Sequence, residues 1–254
     1  MKNYKNLESD IKIIAGIDDA TKCPCIGSIF MAGVTATEKT IKNWKKLGIK
    51  DSKLITSKKR IELEKKIKKT AIKFKVAQIN PMTIDNKVLN LNEWQMITCL
   101  SIILNINQPA VKNIYIDNWE RNESGFFKRI NTSLLSKKLI PSENCDMLKK
   151  LVPEHFADEN HTIVGAASIL AKNASDRQYK RYRKKYGDFG SGSPGDPKTR
   201  LFVWKHRNNP PIIVRKSWKT FKHLAQLENI EHDYICYRYY QKIKHKEAMK
   251  VHAD

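Results

Sequence analysis

The chain has 254 residues, of which 41% are hydrophobic, so it is long and apolar enough to bury a core and is not a disordered binding segment. Its 48 Lys and Arg against 26 Asp and Glu give a net charge of +22, which favours a polyanionic partner such as nucleic acid, although an AT-rich genome, which encodes lysine and isoleucine freely, is the alternative source of the excess. The sequence starts without a signal-peptide core, has no run of about 18 apolar residues and pairs none of its cysteines at zinc-finger spacing, so we expect a soluble cytoplasmic protein without disulfides or structural zinc.

In chain order, the first predicted elements form a hairpin followed by a helix. Residues 11–17 and 26–34 are mostly apolar and predict two strands, and the break between them places Asp18 and Asp19 at the turn. Apolar residues then recur at helical spacing among lysines, which predicts an amphipathic helix over residues 58–72 with Ser57 as its N-cap.

The next elements continue this alternation. The pattern predicts a strand over residues 74–79, a helix over residues 91–106, a short strand over residues 113–116 that ends at Asp117, and a helix over residues 162–182. Strands that alternate with helices predict an α/β protein in which helices cover a sheet.

The C-terminal part of the chain is basic and contains a glycine- and proline-rich loop at residues 187–197. We expect an N-terminal extension over residues 1–10, a folded domain over residues 11–224 and a basic, tyrosine-rich segment over residues 225–254. That last segment is predicted to pack as a helix, and phosphate binding by its lysines is the alternative.

Acidic side chains stand at the ends of apolar segments in this basic chain. Asp18 and Asp19 follow the first predicted strand, Asp117 follows the fourth, and Asp158 precedes the helix at residues 162–182. Strand ends at one edge of a sheet lie close together, and converging carboxylates prefer a hard divalent cation such as Mg²⁺ or Mn²⁺. Taken singly, each aspartate has the alternative of capping a turn, where Asp is common.

Six short motifs around these aspartates follow one another along the chain. They are GIDDA (16–20), KDSKLITSKKR (50–60), NLNE (90–93), EHFADENHTIVGAASILAK (154–172), YGDFGSG (186–192) and VRKSWKT (214–220). The series resembles ribonuclease HII, most closely its archaeal and eukaryotic branch, over about residues 13–224. The resemblance implies a ribonuclease H-like mixed sheet flanked by helices, with a C-terminal helical portion. It also implies two-metal-ion hydrolysis of the RNA strand of RNA/DNA hybrids, with 3′-hydroxyl and 5′-phosphate products.

The same resemblance implies which residues form the site. The catalytic and metal-binding carboxylates correspond to Asp18, Asp19, Asp117 and Asp158. The residues that fall in substrate-facing motifs are Thr21, Lys22, Cys23, Lys53, Ser168, Lys172, Ser193 and Arg215. We expect a monomer that binds the hybrid mainly through phosphates, with weak sequence preference and steep salt dependence, and that recognises the ribose 2′-hydroxyl.

Three positions depart from the family pattern. Asp19 replaces a glutamate and is one methylene shorter. Thr21, Lys22 and Cys23 replace a Gly-Arg-Gly that reads the ribose at the cleavage junction, and Thr and Cys adopt glycine-like backbone conformations only at a cost. Ser193 replaces a tyrosine that stacks on the neighbouring sugar. We therefore predict weak cleavage at single embedded ribonucleotides, through either a preference for longer RNA tracts or a weakened enzyme.

Other functions are compatible with parts of the pattern. One alternative is a catalytically impaired protein of the same family that binds hybrids without cutting them, and a more distant one is a basic scaffold for a protein partner. His155, His161 and His206 show no spacing that ties them to a nucleophile, so we expect surface or packing roles for them, with His155 near the leaving group as the alternative.

Overall fold

A computed structural model describes residues 12–49, 55–120, 123–130, 145–233 and 235. The predicted extension at 1–10, Lys53 and most of the tyrosine-rich segment lie outside the described residues. The described residues divide into two compact units. The sheet unit falls within Met1–Ala20, Ile29–Ile79 and Leu89–Ser175, and the helical unit falls within Thr21–Ser28, Asn80–Val88 and Asp176–Asp254.

Five strands form one mixed sheet in the order β3-β2-β1-β4-β5. They are β1 (Ile13–Ala20), β2 (Ile29–Thr37), β3 (Lys73–Ile79), β4 (Val111–Asp117) and β5 (Leu151–Glu154). The pairs β1–β2 and β2–β3 are antiparallel, whereas β1–β4 and β4–β5 are parallel. The predicted α/β class is confirmed, and β5 is an edge strand that the sequence pattern did not predict.

The helices of the described residues alternate with these strands. They are α1 (Glu38–Lys46), α2 (Ser57–Thr70), α3 (Pro81–Asp85), α4 (Leu91–Ile106), α5 (Glu123–Ile130), α6 (Cys145–Leu148), α7 (Ala157–Asn160), α8 (Thr162–Tyr186), α9 (Pro197–Lys205) and α10 (Lys219–Ala225), with a short 3-10 turn at Ile230–His232. Helix α4 has the predicted bounds, because Asn90 and Glu93 form a reciprocal capping box at its start. Helix α8 continues past the predicted end at residue 182.

The first hairpin differs from the prediction in the position of its turn. Strand β1 runs to Ala20, and Asp18 and Asp19 pair with Ala32 and Met31 of β2. Both aspartates therefore lie inside the strand, because the ladder with β2 satisfies their backbone groups whatever their side chains are. The prediction that they occupy the turn is wrong.

Each face of the sheet carries its own hydrophobic core, as alternating side chains of a strand require. On one face, Ile17 and Met31 pack with α4, α5 and the inner residues of β4. On the other face, Ala32 and Val34 pack with α1, α2 and the first half of α8. Gly16 of β1 permits the close approach of α8 on this second face.

The helical unit has a separate core, which joins the loop that follows β1 to the helices of this unit. Ile26, Tyr179, Phe189, Phe202 and Val214 are among its buried residues. Among the described residues, no helix combines the length and the apolar character needed to cross a membrane.

Candidate active site

The parallel pairing of β1 with β4 positions two of the predicted carboxylates. Asp18 lies near the carboxyl end of β1, and Asp117 is the last residue of β4. Asp158 lies in the first turn of α7, and it and Asp18 are only 4% and 5% exposed. Asp19 is half-buried on β1. The sheet unit thus contains all four predicted carboxylates.

The charges of these residues act on one another. Burial raises the pKa of the Asp18 carboxyl well above its usual value, and the negative charges of Asp19 and Asp117 raise it further. A hydrogen bond with Ser168 lowers it, and Asp158 adds a smaller increase. Asp18 is therefore surrounded by negative charge in a site that water does not solvate, which is unfavourable unless a cation compensates it.

Hydrogen bonds from neighbouring groups orient two of the carboxylates. The backbone N–H of Asp19 donates to Asp18 Oδ1 at 2.6 Å. The N–H of Ala157 donates to Asp117 Oδ1 at 3.0 Å, so the first residue of α7 is joined to the end of β4. These contacts limit the rotamers of the two side chains, as hydrogen bonds to the ligands of a metal site commonly do.

The carboxylates are near one another but do not enclose a common point. Among the described residues, no group of three or more His, Cys, Asp and Glu side chains has the arrangement of a metal site. Asp18 and Asp117 nevertheless directly follow Ile17 and Ile116, which are register partners in β1 and β4, and the N–H of Ala157, next to Asp158, donates to Asp117. Carboxylates without a cation repel one another, and a bound cation would draw their oxygens together. The donor set fits a hard divalent ion.

Next to this cluster lies a contact that the sequence reasoning missed. Glu154, the last residue of β5, pairs in register with Asp117, and His161 Nε2 lies 2.6 Å from its Oε2. The His161 ring stacks on Tyr115 with ring centroids 4.0 Å apart. The His161 hydrogen bond is the largest cause that lowers the pKa of Glu154. The predicted packing role of His161 is confirmed, and its partner could not be read from a local motif.

Two predicted substrate residues lie one turn apart on α8 in the sheet unit. Ser168 is buried and hydrogen bonds to Asp18, whereas Lys172 is half-buried. Because residues four apart lie on the same face of a helix, Lys172 lies one turn after Ser168 on the face of α8 that contacts Asp18.

The loop that replaces Gly-Arg-Gly belongs to the helical unit. Thr21 has φ = 67°, in the left-handed region, and its Oγ1 donates to the Ser28 carbonyl at 2.8 Å. A β-branched residue rarely adopts this conformation. Lys22 is half-buried and Cys23 is exposed. The loop therefore keeps a backbone conformation suited to glycine, although it has no glycine at this position.

Two further predicted residues are also in the helical unit. Ser193 is half-buried in the loop before α9. Arg215 is 0% exposed, and its guanidinium donates to the carbonyls of Thr21, Lys22 and Gly27, each at 2.7 Å. Burial lowers the pKa of Arg215 to about 10, so it stays protonated at neutral pH. The prediction that Arg215 contacts nucleic acid is corrected, because its donors are used inside the protein.

Comparison with known proteins identifies the family. The family model for ribonuclease HII matches residues 15–221, which is most of the chain. The chain belongs to the ribonuclease HII family. The ribonuclease HII of Methanococcus maripaludis strain C5 is 39% identical over 235 residues, covering 90% of this chain and 92% of the relative. That of Pyrococcus furiosus is 35% identical over 216 residues, covering 84% and 91%.

Solved structures agree with this assignment. The ribonuclease H2 of Pyrococcus horikoshii OT3 superposes with a TM-score of 0.70 at 29% identity and covers 84% of this chain and 97% of its own. The ribonuclease HII in a PCNA complex from Archaeoglobus fulgidus has a TM-score of 0.70 at 30% identity and covers 86% and 98%. The expected ribonuclease H-like fold is confirmed. So is the family's activity, endonucleolytic hydrolysis of RNA in RNA/DNA hybrids by a divalent-metal-dependent hydrolase, and the alternative of an inactive hybrid-binding protein is not favoured.

Proposed function

We propose that this ribonuclease HII cleaves hybrids with two divalent ions, Mg²⁺ or Mn²⁺, held by Asp18, Asp19, Asp117 and Asp158. The observation that carries the proposal is that Asp18 and Asp117 directly follow the register partners Ile17 and Ile116 of β1 and β4, and that the N–H of Ala157, next to Asp158, donates to Asp117. Bound ions would supply Lewis-acid stabilisation of the scissile phosphate and an activated water, which leaves 3′-hydroxyl and 5′-phosphate ends.

The protein's own part in this chemistry is to orient its carboxylates in advance. Ser168 and the Asp19 N–H hold Asp18, and the Ala157 N–H holds Asp117. Preset orientation removes the entropy cost of arranging the site during the reaction. Asp19 retains the charge of the family's glutamate, but its side chain is one methylene shorter. We expect this replacement to lower the rate of cleavage more than the affinity for metal.

We further propose that Lys22, Lys53 and Lys172 contact phosphates of the hybrid, with Thr21, Cys23, Ser168 and Ser193 close to its sugars. Phosphate contacts release counterions from the duplex, and the net charge of +22 adds a long-range attraction. Binding should therefore weaken steeply as salt rises. We propose a monomer in the absence of other proteins, and accessory subunits remain compatible with it.

Junction specificity should be weaker than in relatives that carry Gly-Arg-Gly and the tyrosine. The left-handed Thr21 retains the backbone shape of the loop, but Lys22 lacks the planar donor fork of arginine and Ser193 lacks an aromatic face. We propose that tracts of several ribonucleotides are cut faster than a single embedded ribonucleotide.

Cleavage of two labelled duplexes by the purified protein with Mn²⁺ or Mg²⁺ tests this specificity. One duplex carries a single ribonucleotide and the other a longer RNA tract. We expect faster cutting of the tract, and equal or faster cutting of the single ribonucleotide would refute the proposed specificity while leaving the activity intact.

A titration of the protein with Mn²⁺ in a calorimeter tests the metal site. Asp117→Asn should abolish both ion binding and cleavage. Glu62→Gln is the matched control, because Glu62 is an exposed carboxylate on α2 that pairs only with Lys59 in the described residues. Unchanged ion binding and unchanged hydrolysis in Asp117→Asn would refute the proposed ligand set.

A further inference from the structure

The loop between β1 and β2 has nearly every carbonyl group bonded to a specific donor of the helical unit. Each of these donors lies within the unit, and the accepting residues belong to one short segment. The accepting carbonyls are those of Thr21, Lys22, Cys23, Cys25, Ile26, Gly27 and Ser28. Because most of its carbonyls are bonded in this way, the loop backbone has little freedom to change conformation.

Arg215 supplies most of these donors. Its Nε, Nη1 and Nη2 reach Gly27, Lys22 and Thr21, and its own backbone N–H donates to Cys25 at 2.9 Å. One residue therefore binds four loop carbonyls. A planar guanidinium is the only side chain that presents donors in this fork, and lysine has no equivalent geometry.

Trp218 completes the arrangement. Its indole Nε1 donates to the Cys23 carbonyl at 3.2 Å, and the Arg215 guanidinium lies 4.8 Å from its ring centroid. Stacking on an aromatic face stabilises a buried guanidinium and limits its rotation. Trp218 thus contacts both the loop and Arg215, which itself binds the loop.

These contacts explain how Thr21 keeps a left-handed backbone. Its carbonyl accepts from Arg215 and its hydroxyl donates to Ser28, so both ends of the residue are bound in this conformation. Within the described residues, the N–H groups of Lys22 and Cys23 donate to no backbone carbonyl. With its carbonyls bonded inside the unit, the loop keeps these two N–H groups available to a ligand.

We propose that Arg215 is a positioning residue for hybrid binding: it fixes the substrate-contacting loop at Thr21–Cys23 with Thr21 in the left-handed conformation, which glycine adopts without steric cost. This inference rests on the proposed function of that loop. Thr21 lies two residues after Asp19 in the chain, so the loop is covalently joined to the carboxylate strand. Arg215 acts through the loop and does not touch the substrate.

Arg215→Lys tests the proposal, because lysine keeps the charge and loses the fork. Arg207→Lys is the matched control: Arg207 also donates to a backbone carbonyl and lies over a tryptophan ring, at Trp204, but binds no carbonyl of the loop. We expect Arg215→Lys to raise KM for the hybrid about tenfold, equivalent to one charge-assisted hydrogen bond, with a smaller effect on kcat. Arg207→Lys should leave KM within about twofold, as an ordinary surface change does.

A rescue experiment separates positioning from general stabilisation. In Arg215→Lys, Thr21 loses support for its left-handed backbone, whereas glycine adopts that backbone without steric cost. Adding Thr21→Gly should therefore recover part of the lost KM in the double variant. A residue that merely stabilised the fold would lower the melting temperature of Arg215→Lys with no recovery of KM.

The hybrid dissociation constant, measured in EDTA for the same variants, distinguishes this inference from the proposed function. If the wild-type protein binds hybrids but does not cut them, the proposed catalysis is refuted. The dissociation constants of the variants then decide whether Arg215 positions the loop. If Arg215→Lys matches Arg207→Lys in KM and in dissociation constant, the inference is overturned. Should Arg215→Lys fail to fold, Trp218→Phe takes its place, and an unchanged KM in that variant overturns the inference as well.

Discussion

Gly16→Ala perturbs the active site without touching any of its polar groups. Gly16 lies on β1 two residues before Asp18, and an added Cβ would lie 2.6 Å from the carbonyl carbon of Ile163 and 2.7 Å from the N of Val164. These are backbone atoms at the start of α8, which cannot rotate away as side-chain ends do. Because ordinary contact begins at 3.4 Å, the start of α8 must move by about 0.8 Å relative to β1.

That displacement acts on the hydrogen bond between Ser168 of α8 and Asp18. A misplacement of about 1 Å in an active site costs roughly 100-fold in rate, and overpacking costs about 1–3 kcal/mol of stability. We therefore expect kcat on a hybrid to fall by roughly 100-fold and the melting temperature to fall by about 2–4 °C for each kcal/mol lost.

Steady-state cleavage and thermal unfolding of two glycine controls make the test specific. In Gly33→Ala the new Cβ would meet side-chain atoms of Ile102 and Ile106 on α4 and no atom of α8, so stability should fall while kcat stays within about threefold. Gly195→Ala meets nothing within 4 Å and should change neither quantity. If Gly16→Ala loses stability but keeps the wild-type kcat, the contact between β1 and α8 does not position the site.

Three further outcomes are expected. The raised pKa of Asp18 in the folded state means that the metal-free protein loses stability as pH rises from the usual aspartate range towards that pKa. In EDTA, Asp18→Asn should therefore unfold at a higher temperature than the wild type at about pH 7 and at the same temperature near pH 3, as measured by thermal unfolding. Ser193→Tyr should raise cleavage at single ribonucleotides by about 2–10-fold through stacking, measured against the tract duplex. Lys172→Gln should reduce the slope of log Kd against log salt by about one, measured by fluorescence anisotropy.

Local patterns in the sequence predicted the elements whose ends are marked by local chemistry. Helix α4 was predicted with its observed bounds because a capping box and a run of apolar residues coincide there. Strand β5 was missed because it has four residues and contains Pro153, and such a strand is stable only by pairing with β4 at the edge of the sheet. The end of β1 was misplaced because two aspartates inside a strand are read as a turn.

The candidate site could be predicted only as a set of residues. The motifs identified the aspartates, but the proximity of Asp18 and Asp117 depends on the parallel register of β1 and β4, which no local pattern encodes. The role of Arg215 depends on carbonyls more than 180 residues away in the sequence. Sequence reasoning assigns a lysine or arginine in a basic motif to phosphates, because burial of that side chain is a long-range property.

The structure also changes what the departures from the family pattern mean. Thr21 stands where the family has glycine and was expected to adopt a glycine-like backbone only at a cost. The structure shows that Thr21 holds the left-handed backbone through Ser28 and Arg215. The backbone contribution of the loop is therefore retained, and the side-chain contributions at Lys22 and Ser193 are the ones that differ. We therefore expect changes at Lys22 and Ser193 to strengthen junction specificity, and we expect the return of glycine to position 21 not to strengthen it.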